Sequence, residues 1–165
     1  MGLLLVPRKI TPAALGILSR NAPSVVCFTD GSASVPAGNG GIGVVSKFGY
    51  YTVEIGRPIT GAVSSDMAEL LSIEAVLDLF PPERNLFIKC DCLAVIHMLI
   101  DGHQPKSKRF LKSLERVRDK IKTHNVTIEF LGRKHRTGTP HTRADRLATK
   151  ARLENRGFFR IMSAV

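Results

Sequence analysis

Four acidic side chains are placed to do chemistry together in this chain: Asp30, Glu69, Asp91 and Asp145. Asp30 closes an apolar run, Cys27-Phe28-Thr29-Asp30-Gly31-Ser32, and Asp91 closes another, Leu86-Phe87-Ile88-Lys89-Cys90-Asp91. Glu69 lies in Met67-Ala68-Glu69-Leu70-Leu71, and Asp145 in the basic stretch Thr142-Arg143-Ala144-Asp145-Arg146-Leu147-Ala148. Carboxylates gathered at one point repel one another, so such a cluster calls for divalent cations. Oxygen-only ligands suit Mg²⁺ or Mn²⁺. Two such ions about 4 Å apart clamp the attacking and leaving oxygens of a phosphodiester, one activating water and the other stabilising the leaving 3′-oxygen. Taken singly, each acid has an ordinary reading. Asp-Gly is commonest in turns, Glu69 suits an exposed helix position, and Asp145 has Arg143 and Arg146 to pair with. The setting of the set, strand end, helix, strand end, helix, is what separates it from four ordinary acids.

Periodicity gives the elements that must position these groups. Residues 25–29 form a short β-branched and apolar run, a strand. Residues 32–41 are rich in Gly, Ser, Ala and Pro and read as a turn. Residues 42–47 and 50–55 are two more strands, joined at Phe48-Gly49 as a hairpin. Residues 64–80 are helical, with Ala68, Leu71, Ala75 and Leu79 at three- to four-residue spacing, and Pro81-Pro82 stops the helix. A buried strand over 86–90, a helix over 93–100, a basic amphipathic helix over 108–122, a strand over 126–131 and a final helix over 142–153 follow. The order β-β-β-α-β-α-α-β-α predicts an α/β fold: a mixed five-stranded sheet, three antiparallel strands then parallel βα units, flanked by helices. Strand ends of neighbouring parallel strands are where such sheets build their sites. The organisation expected is an N-terminal extension over 1–22, one domain over 23–157 and a C-terminal tail over 158–165.

The 165 residues carry 24 Lys and Arg against 14 Asp and Glu, a net charge of +10, and 17 of the 24 cations fall between Lys106 and Arg160. So local a bias favours a polyanionic partner over a merely solvated face. Three cysteines, Cys27, Cys90 and Cys92, are too few and too apolar in setting for a disulfide framework. They point to a reducing, intracellular, cytoplasmic location. No apolar run approaches the roughly 20 residues that span a bilayer, so no membrane partner is expected. Residues 1–22 hold Arg8, Lys9 and Arg20 and no acid, which keeps organelle targeting open, although Pro7 and Pro12 interrupt an amphipathic helix.

With these residues in view, the chain resembles a type 1 ribonuclease H over about Ser24 to Arg156. Phe28-Thr29-Asp30-Gly31-Ser32 is similar to the family's first-strand motif, and Gly38-Asn39-Gly40-Gly41-Ile42-Gly43 to the Gly-rich entry of its second strand. Met67-Ala68-Glu69-Leu70, Cys90-Asp91-Cys92 and Ala144-Asp145-Arg146-Leu147-Ala148 are similar to the motifs that carry its remaining acids. The resemblance implies an endonuclease that hydrolyses the RNA strand of RNA–DNA hybrids, leaving 5′-phosphate and 3′-hydroxyl ends. It implies two Mg²⁺ (or Mn²⁺) ions held by Asp30, Glu69, Asp91 and Asp145. It also implies that His135, ten residues before Asp145, assists proton transfer or product release. His141 competes for that role but reads as an N-terminal helix residue. Ser32, Ser65, Asp66, Cys92, Arg133, Lys134 and Arg136 are the expected nucleic-acid contacts of a monomer.

The chain departs from the family beside the acids. Ser64-Ser65-Asp66 stands where the family has Asn residues that contact 2′-hydroxyls, the groups that distinguish RNA from DNA. Cys92 stands where Ser is usual. There is no Trp, and Gly102 to Arg109 leads directly into one basic helix where bacterial members carry a Trp-containing protrusion. Lys106, Lys108, Arg109 and Lys112 form a substitute phosphate-binding face. Two alternatives follow: a nuclease of the same fold acting on structured or branched DNA, or a catalytically silent module that binds RNA or protein.

Overall fold

The computed structural model describes residues 20, 22, 24–61, 63–132 and 139–163. Six strands build one sheet: β1 (Ser24–Ser34), β2 (Asn39–Phe48), β3 (Tyr51–Thr60), β4 (Asn85–Cys90), β5 (Asn125–Phe130) and β6 (Phe158–Ser163). Among the described residues four helices accompany them: α1 (Ser65–Leu79), α2 (Leu93–Ile100), α3 (Lys108–Thr123) and α4 (Pro140–Glu154). The strand order is β5-β4-β1-β2-β3-β6. β1, β2 and β3 run as an antiparallel meander, while β4 is parallel to β1 and β5 to β4. Among the described residues no helix is long and apolar enough to cross a membrane.

The sheet has six strands where five were expected. Phe158–Ser163, placed by sequence in a tail, pairs antiparallel with β3 from Gly56↔Phe158 to Tyr51↔Ser163. The strand is short, lies at an edge and carries an Arg in its middle, so its alternation is weak. The turn expected over 32–41 is also shorter than the composition implied. β1 continues through Asp30 and Gly31 to Ser34, and β2 begins at Asn39, leaving residues 35–38 as the turn. Pro36 takes the second turn position, and the Gly38 N–H donates to the Val35 carbonyl at 3.2 Å. Gly49 and Tyr50 then make a two-residue hairpin, with Gly49 at φ 51° as a primed turn requires.

α1 starts where Ser64 accepts the Met67 N–H at 3.2 Å. It is buried on nearly all sides, because it lies between the sheet and α3. Leu70, Ile73 and Val76 are wholly enclosed, with Val25, Ile88 and Leu114 in the same core. Burying each such side chain contributes roughly 1.5–3 kcal/mol. α3 docks on α1 with Phe110, Leu114 and Val117 inward, and with Arg116 and Lys120 on the buried Glu74 at 2.6 and 2.7 Å. α4 packs on the opposite face, where Phe28 and Val45 meet Ala144 and Leu147.

Candidate active site

The parallel pairing of β1 and β4 sets the two strand-end acids level. Its last paired residues are Phe28 and Lys89, and two positions further along the chain from each stand Asp30 and Asp91, the latter just past the end of β4. Asp30 is within β1 and not at its end, paired with Gly43 of β2. The Asp-Gly step is therefore extended backbone and not a turn. Gly31 is needed for another reason. A Cβ there would sit 2.3 Å from the Glu69 nitrogen and 2.4 Å from the Ala68 carbonyl carbon. Only a residue without a side chain lets α1 lie this close to β1, and that contact sets Glu69 beside Asp30. The Gly31 N–H also donates to the Glu69 carboxylate.

α4 is seated by a second close approach. A Cβ on Gly43 would fall 1.9 Å from the Ala144 carbonyl oxygen, and one on Gly41 2.2 Å from that of Ala148. The buried stripe of α4 is correspondingly small where it meets these glycines: Ala144, Ala148 and Ala151. A bidentate pair between Arg143 and Glu54 of β3, at 2.9 and 2.8 Å, holds the start of α4 in place. Arg143 is thus occupied elsewhere, and Asp145 faces Asp30, with which it shares a hydrogen bond.

The four carboxylates converge, and their electrostatics show it. Burial, then the charges of Asp145 and Asp91, push Asp30 from its ordinary range up to about 8. Burial, then the charges of Asp30 and Asp91, push Glu69 up to about 9, against the opposing pull of the Gly31 N–H. Glu69 Oε2 is buried without a hydrogen-bond partner among the described residues. Acids crowded and desolvated in this way are stabilised by a multivalent cation more than by protein donors. The donor set fits the divalent cations expected of it.

One member of the cluster was not expected. His141 is buried, 3 % exposed, with Nε2 3.3 Å from Asp91 Oδ2. Its nitrogen and one oxygen each of Asp30 and Asp91 lie within 4.8 Å of one another. The sequence alone makes it a competitor of His135 that looks like an N-terminal helix residue, and it does lie in the first turn of α4. The missed signal was its spacing: positions 141, 144, 148 and 151 share the stripe that faces the sheet.

The remaining expected residues are placed as follows. His135, Arg133, Lys134 and Arg136 lie outside the described residues. Ser65 is exposed in the first turn of α1. Asp66 accepts a hydrogen bond from the Cys92 thiol at 3.6 Å, so two departures from the family pattern touch each other. Burial, opposed by a backbone hydrogen bond to Val95, lifts the Cys92 thiol to about 12 and keeps it protonated. Ser32 Oγ accepts from Arg152 Nε at 2.9 Å and is committed to α4. Lys106, Lys108, Arg109 and Lys112 are exposed at and before the start of α3. A concavity of about 830 Å³ lies elsewhere, between α4, β3 and β6, and none of the four acids lines it.

The RNase H family profile matches residues 22–152. No curated protein matches the chain significantly. Among solved structures, LC11-RNase H1 from a compost metagenome superposes with a TM-score of 0.64 at 17 % identity, over 81 % of this chain and 98 % of that one. RNase H1 of the halophilic archaeon Halobacterium salinarum gives 0.63 at 20 %, over 81 % and 99 %. The N-terminal RNase H domain of a Mycobacterium tuberculosis protein gives 0.62 at 22 %, over 79 % and 94 %. LC11-RNase H1 has also been solved in complex with an RNA/DNA hybrid.

Proposed function

Because the chain belongs to the RNase H family, we propose that this ribonuclease cuts the RNA strand of RNA–DNA hybrids with two divalent cations, Mg²⁺ or Mn²⁺, held by Asp30, Glu69, Asp91 and Asp145. The observation that carries the proposal is the convergence of all four acids, two of them displaced far above the ordinary carboxylate range by burial and by one another. A silent binding module has no reason to keep so costly a cluster.

Bound there, the cations would supply the charge that activates water and stabilises the leaving oxygen. The chain's own residues supply placement. Asp30 and Asp91 fix one edge of the site on rigid neighbouring strands. Glu69 and Asp145 close it from helices seated at backbone distance on β1 and on its neighbour β2. Arg143, clamped by Glu54, keeps the first turn of α4 in register with Asp30. Ser65 and Asp66, in the first turn of α1, flank the site where a substrate strand would pass. The Cys92 thiol donates to Asp66 and moderates its charge toward a phosphate. Lys106, Lys108 and Lys112 offer exposed cations to the backbone of the second strand.

The test is cleavage of a labelled hybrid across a metal titration, beside duplex DNA, duplex RNA and a four-way junction, with Asp91→Asn as control. Metal-dependent cutting of the hybrid alone, lost in Asp91→Asn, is the expected result. Equal or better cutting of the junction overturns the substrate, and a wild type as inert as Asp91→Asn overturns the activity.

A further inference from the structure

We propose that His141 is a nitrogen ligand of the metal centre and that it shifts the preference of this site from Mg²⁺ toward Mn²⁺. The inference rests on the two-cation reading above and adds a ligand of a different chemical type to it.

The geometry carries the argument. His141 projects from the sheet-facing stripe of α4, with Nε2 3.3 Å from Asp91 Oδ2. One oxygen of Asp30 completes a set of three donor atoms, all within 4.8 Å of one another. An octahedral cation with ligands at about 2.1 Å holds adjacent ligand atoms about 3 Å apart and opposite ones about 4.2 Å apart. The 3.3 Å between His141 Nε2 and Asp91 Oδ2 matches adjacent positions of such a shell, and the 4.8 Å bound on all three atoms lies a few tenths of an ångström beyond its widest span. A second buried atom points to the same need: Glu69 Oε2 lacks a hydrogen-bond partner among the described residues. A proton on Nε2 can answer one oxygen of Asp91. A divalent cation answers Asp30, Asp91 and the imidazole together.

The donor chemistry sets the preference. Mg²⁺ is a hard ion that favours oxygen and gives up water reluctantly. Imidazole nitrogen suits first-row transition ions, and Mn²⁺ is the member of that series that also accepts carboxylates readily. Replacing one oxygen or water ligand by His141 therefore strengthens Mn²⁺ binding more than Mg²⁺ binding.

Pulsed EPR of Mn²⁺ bound to the full chain reads the contact directly. The expected result is ¹⁴N coupling to Mn²⁺ in the wild type, changed on ¹⁵N-histidine labelling and lost in His141→Asn. Titration calorimetry should show the Mn²⁺-to-Mg²⁺ affinity ratio falling by about tenfold or more in His141→Asn, since even outer partners of metal ligands change affinity by about 10–100-fold. The wild-type spectrum stands whether or not the variant folds. Mn²⁺ binding that depends on Asp91 but shows no ¹⁴N coupling overturns the role of His141 and leaves the two-cation reading intact. Persistence of the coupling in a folded His141→Asn assigns it to another histidine and also overturns the proposal. Failure of the wild type to bind Mn²⁺, or binding unchanged in Asp91→Asn, overturns both.

Discussion

Gly43→Ala is the most demanding perturbation the structure offers. Gly43 is the cross-strand partner of Asp30, and α4 lies against it at the residue before Asp145. The added Cβ would stand 1.9 Å from the Ala144 carbonyl oxygen, and real Cβ atoms do not come closer than 3.0 Å. Relief needs a movement of about 1.1 Å, and the obstructing atom belongs to helix backbone, which cannot rotate away. Overpacking of this kind costs typically 1–3 kcal/mol. The catalytic cost is separable, because a misplacement of about 1 Å can lower turnover about 10²-fold. Steady-state hybrid cleavage well below the variant's melting temperature should show kcat down by that order with KM little changed. Gly41→Ala, 2.2 Å from the Ala148 carbonyl oxygen and a turn further from Asp145, should lose similar stability and less kcat. Gly132→Ala, whose Cβ would meet nothing within 4 Å, serves as the neutral control. A folded Gly43→Ala protein with wild-type kcat would refute the claim that this glycine sets the position of Asp145.

Three further outcomes follow from other parts of the molecule. Asp30 and Glu69 hold their protons more tightly folded than unfolded. In chelator, stability should therefore fall as pH rises from the ordinary carboxylate range through about 8 to 9, and Mn²⁺ at pH 8 should restore it; melting curves that are flat or rise with pH would contradict this. Glu74→Ala removes a buried carboxylate that answers Arg116 and Lys120, and urea denaturation should show a loss of about 1–3 kcal/mol, moderated because both cations are partly in water. Burial raises Glu74, but its hydrogen bonds and the two positive charges outweigh that and lower it overall, so its contribution should be full at neutral pH and fade as pH falls through its folded value. Ending the chain at Gly157 removes β6 and bares the edge of β3; melting temperature should drop and light scattering on heating should rise.

Much of this site was legible because the acids sit where periodicity changes. Strand patterns over 25–29 and 86–90 placed Asp30 and Asp91 on parallel neighbours, and the helix pattern around Ala68 and Ala75 placed Glu69. The roles of the glycines were not legible. An Asp-Gly pair looks the same in a turn and in a strand pressed against a helix, and only the approach of Ala68 and Glu69 to Gly31 distinguishes the two. His141 was lost for a related reason: a polar residue in a helix's first turn is ordinary until its stripe is seen to face a carboxylate. β6 was lost because none of its residues is fully buried, so Phe158 to Ser163 carries no inside–outside alternation to read.

β6 also bears on the order in which the molecule is made. Its partner β3 is made well before it: Phe158 follows its own partner Gly56 by 102 residues and Ser163 follows Tyr51 by 112. Until then the meander of β1, β2 and β3 has one open edge, which is a template for pairing with another chain. Synthesis thus leaves a window in which this edge is exposed while every other described element is already present. A nascent chain stalled before Phe158 should be the form most prone to self-association, and recruitment of chaperones should fall once β6 has closed the sheet.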